Sequence, residues 1–468
     1  MSKQPFRATL MVGAGALGLG LMAQPAAAQQ AGNQAKLEAR LAQLEAEVAE
    51  LRGELQASRA GQAAVANQAA TASAAAAKAS EQIAAIEKRP AAPAEGFNVG
   101  GTNFRFGGFI KAVASFSRYD DGDVPTGSLG KDFYLPQQIP VGGARESNDF
   151  TGHAKQTRLQ MTTSTPIGGH QLKGLVEVDF QTAAGTQGSQ RTTNGYDLAL
   201  RRGFFTYDHF LAGQEWSNFQ YVAALPESTD FVGATEGTVF VREMQLRYAF
   251  PLSKQATLSV AIENPETASI TTTSATLIEN DDDRVPDVTA RLNYAASFGE
   301  LSLAGLVRQL SVDNGAVHGR AAGWGVSAAG KIPFGPDKRH DLRFMATYGD
   351  GIGRYVGLNL APDAVFDGTP GSDLETVKNF AGFAAVKIGW TPTIRSSLIG
   401  SYQHAVYPDA VLIPGAANRT AWSVAGNLFW SPVKGFDLGV ELRHGEREIV
   451  SGEKGQLDRL EFATKYSF

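Results

Sequence analysis

Arg158, Arg247, Arg291, Arg343 and Arg443 share one trait: each occupies the polar register of a stretch whose alternate residues are apolar. Lys111, Lys387 and Arg395 extend the set, and the acids in the same register are Glu177, Asp179, Glu243, Glu441 and Glu461. Eight bases face five acids there, although the chain as a whole carries 42 Lys+Arg against 47 Asp+Glu. A guanidinium stays charged at any physiological pH and grips a carboxylate with two parallel hydrogen bonds. On a wetted wall such groups attract anions without trapping them. Covalent or metal chemistry finds less support. The seven His show no HExxH spacing, no GxSxG occurs, and the absence of Cys removes zinc fingers, disulfides and thiol nucleophiles. No cofactor and no metal is expected. The acidic runs Asp120-Asp121-Gly122-Asp123 and Asp281–Asp283 lack the closing Glu of an EF-hand and read as solvated charge.

The elements that must position these residues begin after an export signal. Lys3 and Arg7 precede an apolar run from Ala8 to Met22, and Ala26-Ala27-Ala28 closes it, the three parts of a signal peptide spanning 1–28. The GxGxxG inside that run, Gly13 to Gly18, has no strand before it and carries no nucleotide reading. Cleavage after Ala28 removes Lys3 and Arg7 and takes the net charge from −5 to −7, with no basic block to hold nucleic acid.

Next comes a heptad frame. Leu37, Leu41, Leu44, Val48, Leu51 and Leu55 recur at spacings of 4, 3, 4, 3 and 4, the seam of a left-handed coiled coil. The frame continues to Ile86 through a weaker middle of Gln62 and alanines, so 29–88 is expected to be a self-associating periplasmic coil. Arg89-Pro90-Ala91-Ala92-Pro93 ends the helix and opens a linker over 89–97.

From 98 to 468 the period changes to two. Leu342, Phe344, Ala346 and Tyr348 alternate with Asp341, Arg343, Met345 and Thr347, and Val288–Tyr294 and Phe436–Arg443 repeat the pattern. A soluble sandwich alternates too; the connectors separate the two cases. Short turns at 166–169, 208–210, 251–253, 298–300, 335–338, 392–393 and 432–435 interleave with long polar loops at 121–151, 184–195, 215–238, 264–284, 313–320, 351–376, 407–418 and 451–455. Seven short and eight long connections make sixteen strands, the layout of an outer-membrane barrel. The fold class expected is therefore an all-β transmembrane barrel of 16 antiparallel strands behind an N-terminal α-helical coiled coil. Phe462, Tyr466 and terminal Phe468 share one face of the last strand and look like an outer-membrane assembly signal, while Phe104, Tyr294, Tyr348, Trp390, Tyr402, Trp422 and Trp430 are expected in interfacial girdles.

The segments Phe106–Lys111, Gln156–Leu159, Glu177–Phe180 and above all Ala212-Gly-Gln-Glu-Trp-Ser-Asn-Phe219 resemble the DcaP-like porins, as do Pro226 with Asp230-Phe231, Arg247-Tyr248 and Glu263–Glu266. The resemblance implies a homotrimer of 16-stranded barrels in the outer membrane of a Gram-negative bacterium, with a periplasmic N-terminal helix. It also implies passage of small anionic solutes, dicarboxylates among them. Partners implied by this setting are lipid and lipopolysaccharide, the assembly machinery, and peptidoglycan as a candidate contact of the coil. One run departs from the family pattern: Arg201-Arg202-Gly203-Phe204 stands where an Arg-His-Ala-Tyr-like run is expected.

The loop at 215–238 follows the fifth strand, where trimeric porins fold a loop into the lumen. Trp216, Phe219, Tyr221 and Phe231 are expected to pack it on the wall, and Glu215, Glu227, Asp230 and Glu236 to oppose the wall arginines across a constriction. A non-selective porin and a closed barrel tethered to the cell wall are the alternatives. Ion selectivity separates the first from a substrate-biased channel, and single-channel conductance separates the second.

Overall fold

The computed structural model describes residues 96–181, 195–315, 317–369 and 371–468. The signal peptide, the coiled coil and most of the linker lie outside the described residues, as does much of the loop expected at 184–195.

Lipid offers backbone groups no hydrogen bonds, so a strand-built membrane protein must close its sheet. This chain does so with β1 (Thr102–Tyr119), β2 (Ser147–His153 and Arg158–Ile167), β3 (His170–Asp179), β4 (Ala199–Tyr207), β5 (Phe210–Trp216), β6 (Arg242–Pro251), β7 (Ala256–Glu263) and β8 (Asp287–Ala296). The second half is β9 (Gly299–Asp313), β10 (His318–Phe334), β11 (His340–Asp350), β12 (Lys378–Gly389), β13 (Ile394–Val406), β14 (Asn418–Val433), β15 (Phe436–Ile449) and β16 (Lys454–Ser467). Every neighbour is antiparallel, and β1 pairs with β16 from Phe109 opposite Ser467 to Tyr119 opposite Leu457. Of the 18 stretches in the sheet, two are the halves of β2 and one is the short Phe97–Val99 piece folded back on β1, leaving sixteen strands. The final Phe seals the ring: Phe468 N–H donates to Gly108 O at 3.1 Å, and Gly108 N–H to Phe468 O at 3.2 Å.

The burial pattern is inside-out. On β13, Leu398 and Tyr402 face outward and are 62% and 40% exposed, whereas the inward Ser397, Ser401 and Gln403 are buried. Outward aromatics form two belts. Tyr294, Trp390, Trp430 and Tyr466 stand beside the short turns; Trp324, Tyr348, Tyr402 and Trp422 stand toward the long loops. The short turns fall where the alternation breaks. The β2–β3 turn is Gly168-Gly169 with φ of +58° and +87°, the pair of positive φ values a two-residue hairpin of this twist requires.

The long loops fold inward and fill much of the outer half. Loop L1 (120–146) carries a short helix α1 (Leu129–Asp132) capped by Ser128, whose Oγ accepts from Gly130 N–H. Loops L4 (264–286) and L6 (351–377) build a four-stranded sheet in which Ala268–Thr271 runs parallel to Ala364–Phe366. Loop L3 (217–241) packs Phe219, Ala224, Ala234 and Val239 inside the barrel together with Tyr355 and Val356 of L6. Small inward residues, Ala304, Ala329, Ala381, Ala385 and Ala425, make room for them beside Leu306, Met345, Phe383 and Ile399.

Candidate functional site: the lumenal wall and its constriction

Antiparallel partners share a face, so the register settles which side chains enter the lumen. Lys111 lies opposite Lys465, Arg158 opposite Phe109 and Asp179, Arg247 opposite Leu211 and Ala261, and Arg291 opposite Ser259 and Ala304. Arg343, Lys387, Arg395 and Arg443 continue the same face, as do Glu177, Glu243, Glu441 and Glu461.

Their partners divide the basic residues into two groups. Arg343 Nε lies 2.6 Å from Asp341, which also takes Lys387 Nζ at 2.9 Å. Arg395 grips Glu227 of L3 with Nε at 2.8 Å and Nη2 at 2.6 Å, and reaches Asp437 at 3.2 Å. Arg443 pairs with Glu441 at 2.7 Å, under the ring of Tyr134 from L1 at 4.6 Å. These residues pin loops. Lys111 belongs with them, donating at 2.6 Å to both Gln156 Oε1 and Thr229 O of L3. Arg158 makes longer contacts, 3.8 Å to Glu177 and 3.7 Å to Asp179. Among the described residues, Arg247 and Arg291 have no carboxylate in ion-pair contact. Arg291 instead donates to Gln220 O and lies 6.0 Å from the ring centre of Tyr221.

The constriction loop begins two residues later than expected. Glu215 and Trp216 belong to β5, and L3 occupies 217–241 in place of 215–238. Its path follows the wall. Ser217 Oγ and Asn218 N–H donate to Glu263 of β7 at 2.7 Å, and Tyr221 Oη donates to Glu300 of β9 at 2.6 Å. Arg343 of β11 then holds Leu225 O, Asn427 of β14 holds Glu227 O at 2.8 Å, and Glu441 of β15 accepts from Ser228 Oγ at 2.6 Å. Reaching β1 at Lys111, the chain turns back through Asp230, whose carboxylate accepts from Tyr134 N–H at 2.7 Å. The four loop acids do not stand as a free row opposite the arginines, as the sequence suggested. Glu215 is bound by Arg202, Glu227 by Arg395, Asp230 by backbone N–H groups, and Glu236 is buried beside Tyr134.

L3 therefore lines the wall from β7 round to β1 and makes no hydrogen bond to β2–β6 among the described residues. That wall, which L3 meets through the rings of Phe231 and Phe240 against Arg201 and Trp216, carries a feature the alternation did not reveal. Glu177 pairs with Arg202, but the next pair is Val178 with Leu200, so Arg201 is an extra residue in β4. This β-bulge turns two consecutive arginines to the lumen, where strict alternation sends one to lipid. Arg201 is buried against Glu177 and Asp179, with Phe231 of L3 5.0 Å away; Arg202 forks onto Glu215 at 2.7 and 2.6 Å. Arg158, Arg201, Arg202, Arg247 and Arg291 thus stand on β2, β4, β6 and β8 as one basic band facing L3. Arg242, at the top of β6, adds a guanidinium 5.1 Å from the Trp216 ring.

Loop L6 packs at the mouth against β6, β8 and β9. Arg308 of β9, fully buried, reaches Asp287 at 3.3 Å and Asp363 of L6 at 3.1 Å, while Arg354 of L6 reaches Glu243 at 3.3 Å. Tyr355 Oη donates to Asp287 at 2.8 Å. Nothing in the sequence alone joined Arg308 to a loop some fifty residues on. Among the described residues no cluster of His, Asp and Glu is arranged to hold a metal ion.

The sequence model of the DcaP outer membrane protein family matches residues 136–468. No curated protein matches the chain. Among solved structures, the outer membrane channel DcaP of Acinetobacter baumannii superposes with a TM-score of 0.66 at 25% identity, covering 80% of this chain and 100% of that one. The outer-membrane OmpT of Vibrio cholerae superposes at 0.51 with 11% identity, over 80% and 100%, a likeness of fold. A closed 16-stranded barrel with a lipid-facing apolar exterior, a polar lumen narrowed by L3, and a family match over most of its length lead to one assignment: this chain belongs to the DcaP outer membrane protein family and forms a channel in the Gram-negative outer membrane.

Proposed function

We propose that the channel favours small anions, dicarboxylates among them, and that they travel along the β2–β6 wall. One observation carries this reading. On that wall, among the described residues, Arg247 has no carboxylate partner and Arg158 has only long ones; at its edge on β8, Arg291 has none either and donates to Gln220 O of L3. Across the lumen, Lys111, Arg343 and Arg395 are engaged in holding L3. Guanidinium groups in contact with water bind a passing carboxylate with about 1 kcal/mol or less. Such weak, repeated sites let a solute enter and leave, which conduction requires. Loops L1, L3 and L6 supply the narrowing, so the solute passes close to the band instead of through open water.

The same reading takes the functional unit as a homotrimer whose coils, residues 29–88, associate in the periplasm after removal of 1–28. The heptad seam and the export signal support it. In proteoliposomes, succinate is expected to enter several-fold faster than a neutral sugar of similar size. Equal rates would leave a non-selective pore, and absence of conductance in a planar bilayer would leave a closed barrel.

A further inference from the structure

Resting on the anion path just described, we propose a second station on it: a binding site for hydroxylated carboxylates of the sugar-acid type at the periplasmic end of the β1–β4 wall. A pocket of about 600 Å³ lies there, well below the constriction and beside the short turns. Register arranges its floor in two rows. One row runs Asn103, Ser164, Lys173 and Thr206 across β1 to β4; the next runs Arg105, Thr162, Leu175 and Phe204.

The chemistry of the rows is specific. Arg105 and Lys173 are exposed, and among the described residues neither is in an ion pair. Arg105 Nε is steadied by Asn103 Oδ1 at 3.3 Å, and Ser164 Oγ donates to Gln171 at 3.2 Å. The two cations stand on β1 and β3, two strand spacings or about 10 Å apart. Three hydroxyls and an amide surround them, each able to donate and to accept. Leu175 and Phe204 give the C–H face of a carbon chain an apolar rest. A bare carboxylate uses only the cations. A solute carrying one carboxylate and several hydroxyls uses the cations and both rows.

The station is joined to the band above it. Arg202 lies 5.4 Å from the ring centre of Phe204, which is itself part of the pocket floor. An anion leaving the band therefore meets Arg105 and Lys173 next, and among the described residues no carboxylate lines the pocket.

The test uses the full-length protein in a planar bilayer and reads the residence time of gluconate, hexanoate and sorbitol added on the short-turn side. Gluconate is expected to dwell about three-fold longer than hexanoate or more, since each added neutral hydrogen bond is worth a factor of a few, and sorbitol is expected to leave no dwell. R105Q/K173Q should shorten both anions to one common value. S164A/T206V should remove the gluconate advantage and leave hexanoate unchanged. Equal dwell of gluconate and hexanoate in the wild type, or a gluconate dwell untouched by R105Q/K173Q, overturns the station. If R247E/R291E still alters selectivity in that case, the anion path stands without it; if it does not, the path itself has failed.

Discussion

Arg201 and Arg202 are adjacent in the chain, and both point into the lumen. Glu177 pairs across the sheet with Arg202 while Val178 pairs with Leu200, so the bulge at Arg201 doubles the positive charge β4 brings to the wall. Each arginine has its own carboxylate: Asp179 for Arg201, Glu215 for Arg202, with Glu177 between them. The bulge thus fixes the polar framework against which the less restrained Arg158 and Arg247 stand.

That framework should be sensitive to the loss of Arg201. R201A leaves Glu177 and Asp179 buried without their nearest cation, a change that costs about 3–5 kcal/mol in comparable buried pairs. The heat-induced unfolding of the variant is expected well below that of the wild type. R201M/D179N, which removes charge on both sides, should recover part of the loss. Equal destabilisation of the two variants would show that packing at the bulge, not charge pairing, is what matters.

Arg308 should govern the mouth. Both carboxylates it joins, Asp287 on β8 and Asp363 on L6, are fully buried, so R308M strands them and releases L6. Added protease is expected to cleave R308M within 351–377 on intact cells while sparing the wild type. Single-channel conductance should rise as the loop leaves the lumen.

At the seam, the reciprocal hydrogen bonds of Phe468 with Gly108 make the last residue part of barrel closure as well as of the outward aromatic face it forms with Phe462 and Tyr466. Deleting Phe468 removes both bonds. Folded protein in the outer membrane should fall several-fold, and F468A, which keeps the backbone bonds, should fall less. Equal yields of the two would assign the whole effect to the side chain.

The coil is expected to assist and not to determine assembly, because its seam weakens at Gln62 and the alanines that follow. Deleting 29–90 should leave a conducting trimer on native gels. A variant found only as monomer would make the coil the assembly element.

What was legible in the sequence was what lipid enforces. Alternation assigned Lys111, Arg158, Arg247, Arg291, Arg343, Arg395 and Arg443 to one face, and connector lengths placed all seven turns and the loop after β5, because charge on the lipid-facing side is costly in the middle of the membrane. What stayed hidden depends on tertiary pairing. The Arg201-Arg202 run was visible as unusual, but a bulge is a property of two strands, and one strand's residues do not reveal it. Nothing in the alternation marks Ala304, Ala329, Ala381 and Ala385 as the positions that pack against L3 and L6. The boundary at Trp216 was misplaced because Glu215, a polar inward strand residue, reads like the start of a polar loop.

The central proposal is that Arg247 and Arg291 guide anions. On the proposed path, Arg247 stands on the wall to which L3 makes no hydrogen bond among the described residues, and Arg291 stands at its β8 edge. The direct measurement is the reversal potential of single channels in a KCl gradient, for the wild type and for R247E/R291E, at low and high ionic strength. The wild type is expected to prefer chloride, and the double variant to shift toward potassium. The shift should be larger at low salt, where charges act over a Debye length of about 30 Å, than at 1 M, where the length is about 3 Å. A wild-type channel that prefers potassium, or a double variant whose reversal potential does not move at low salt, would contradict the account.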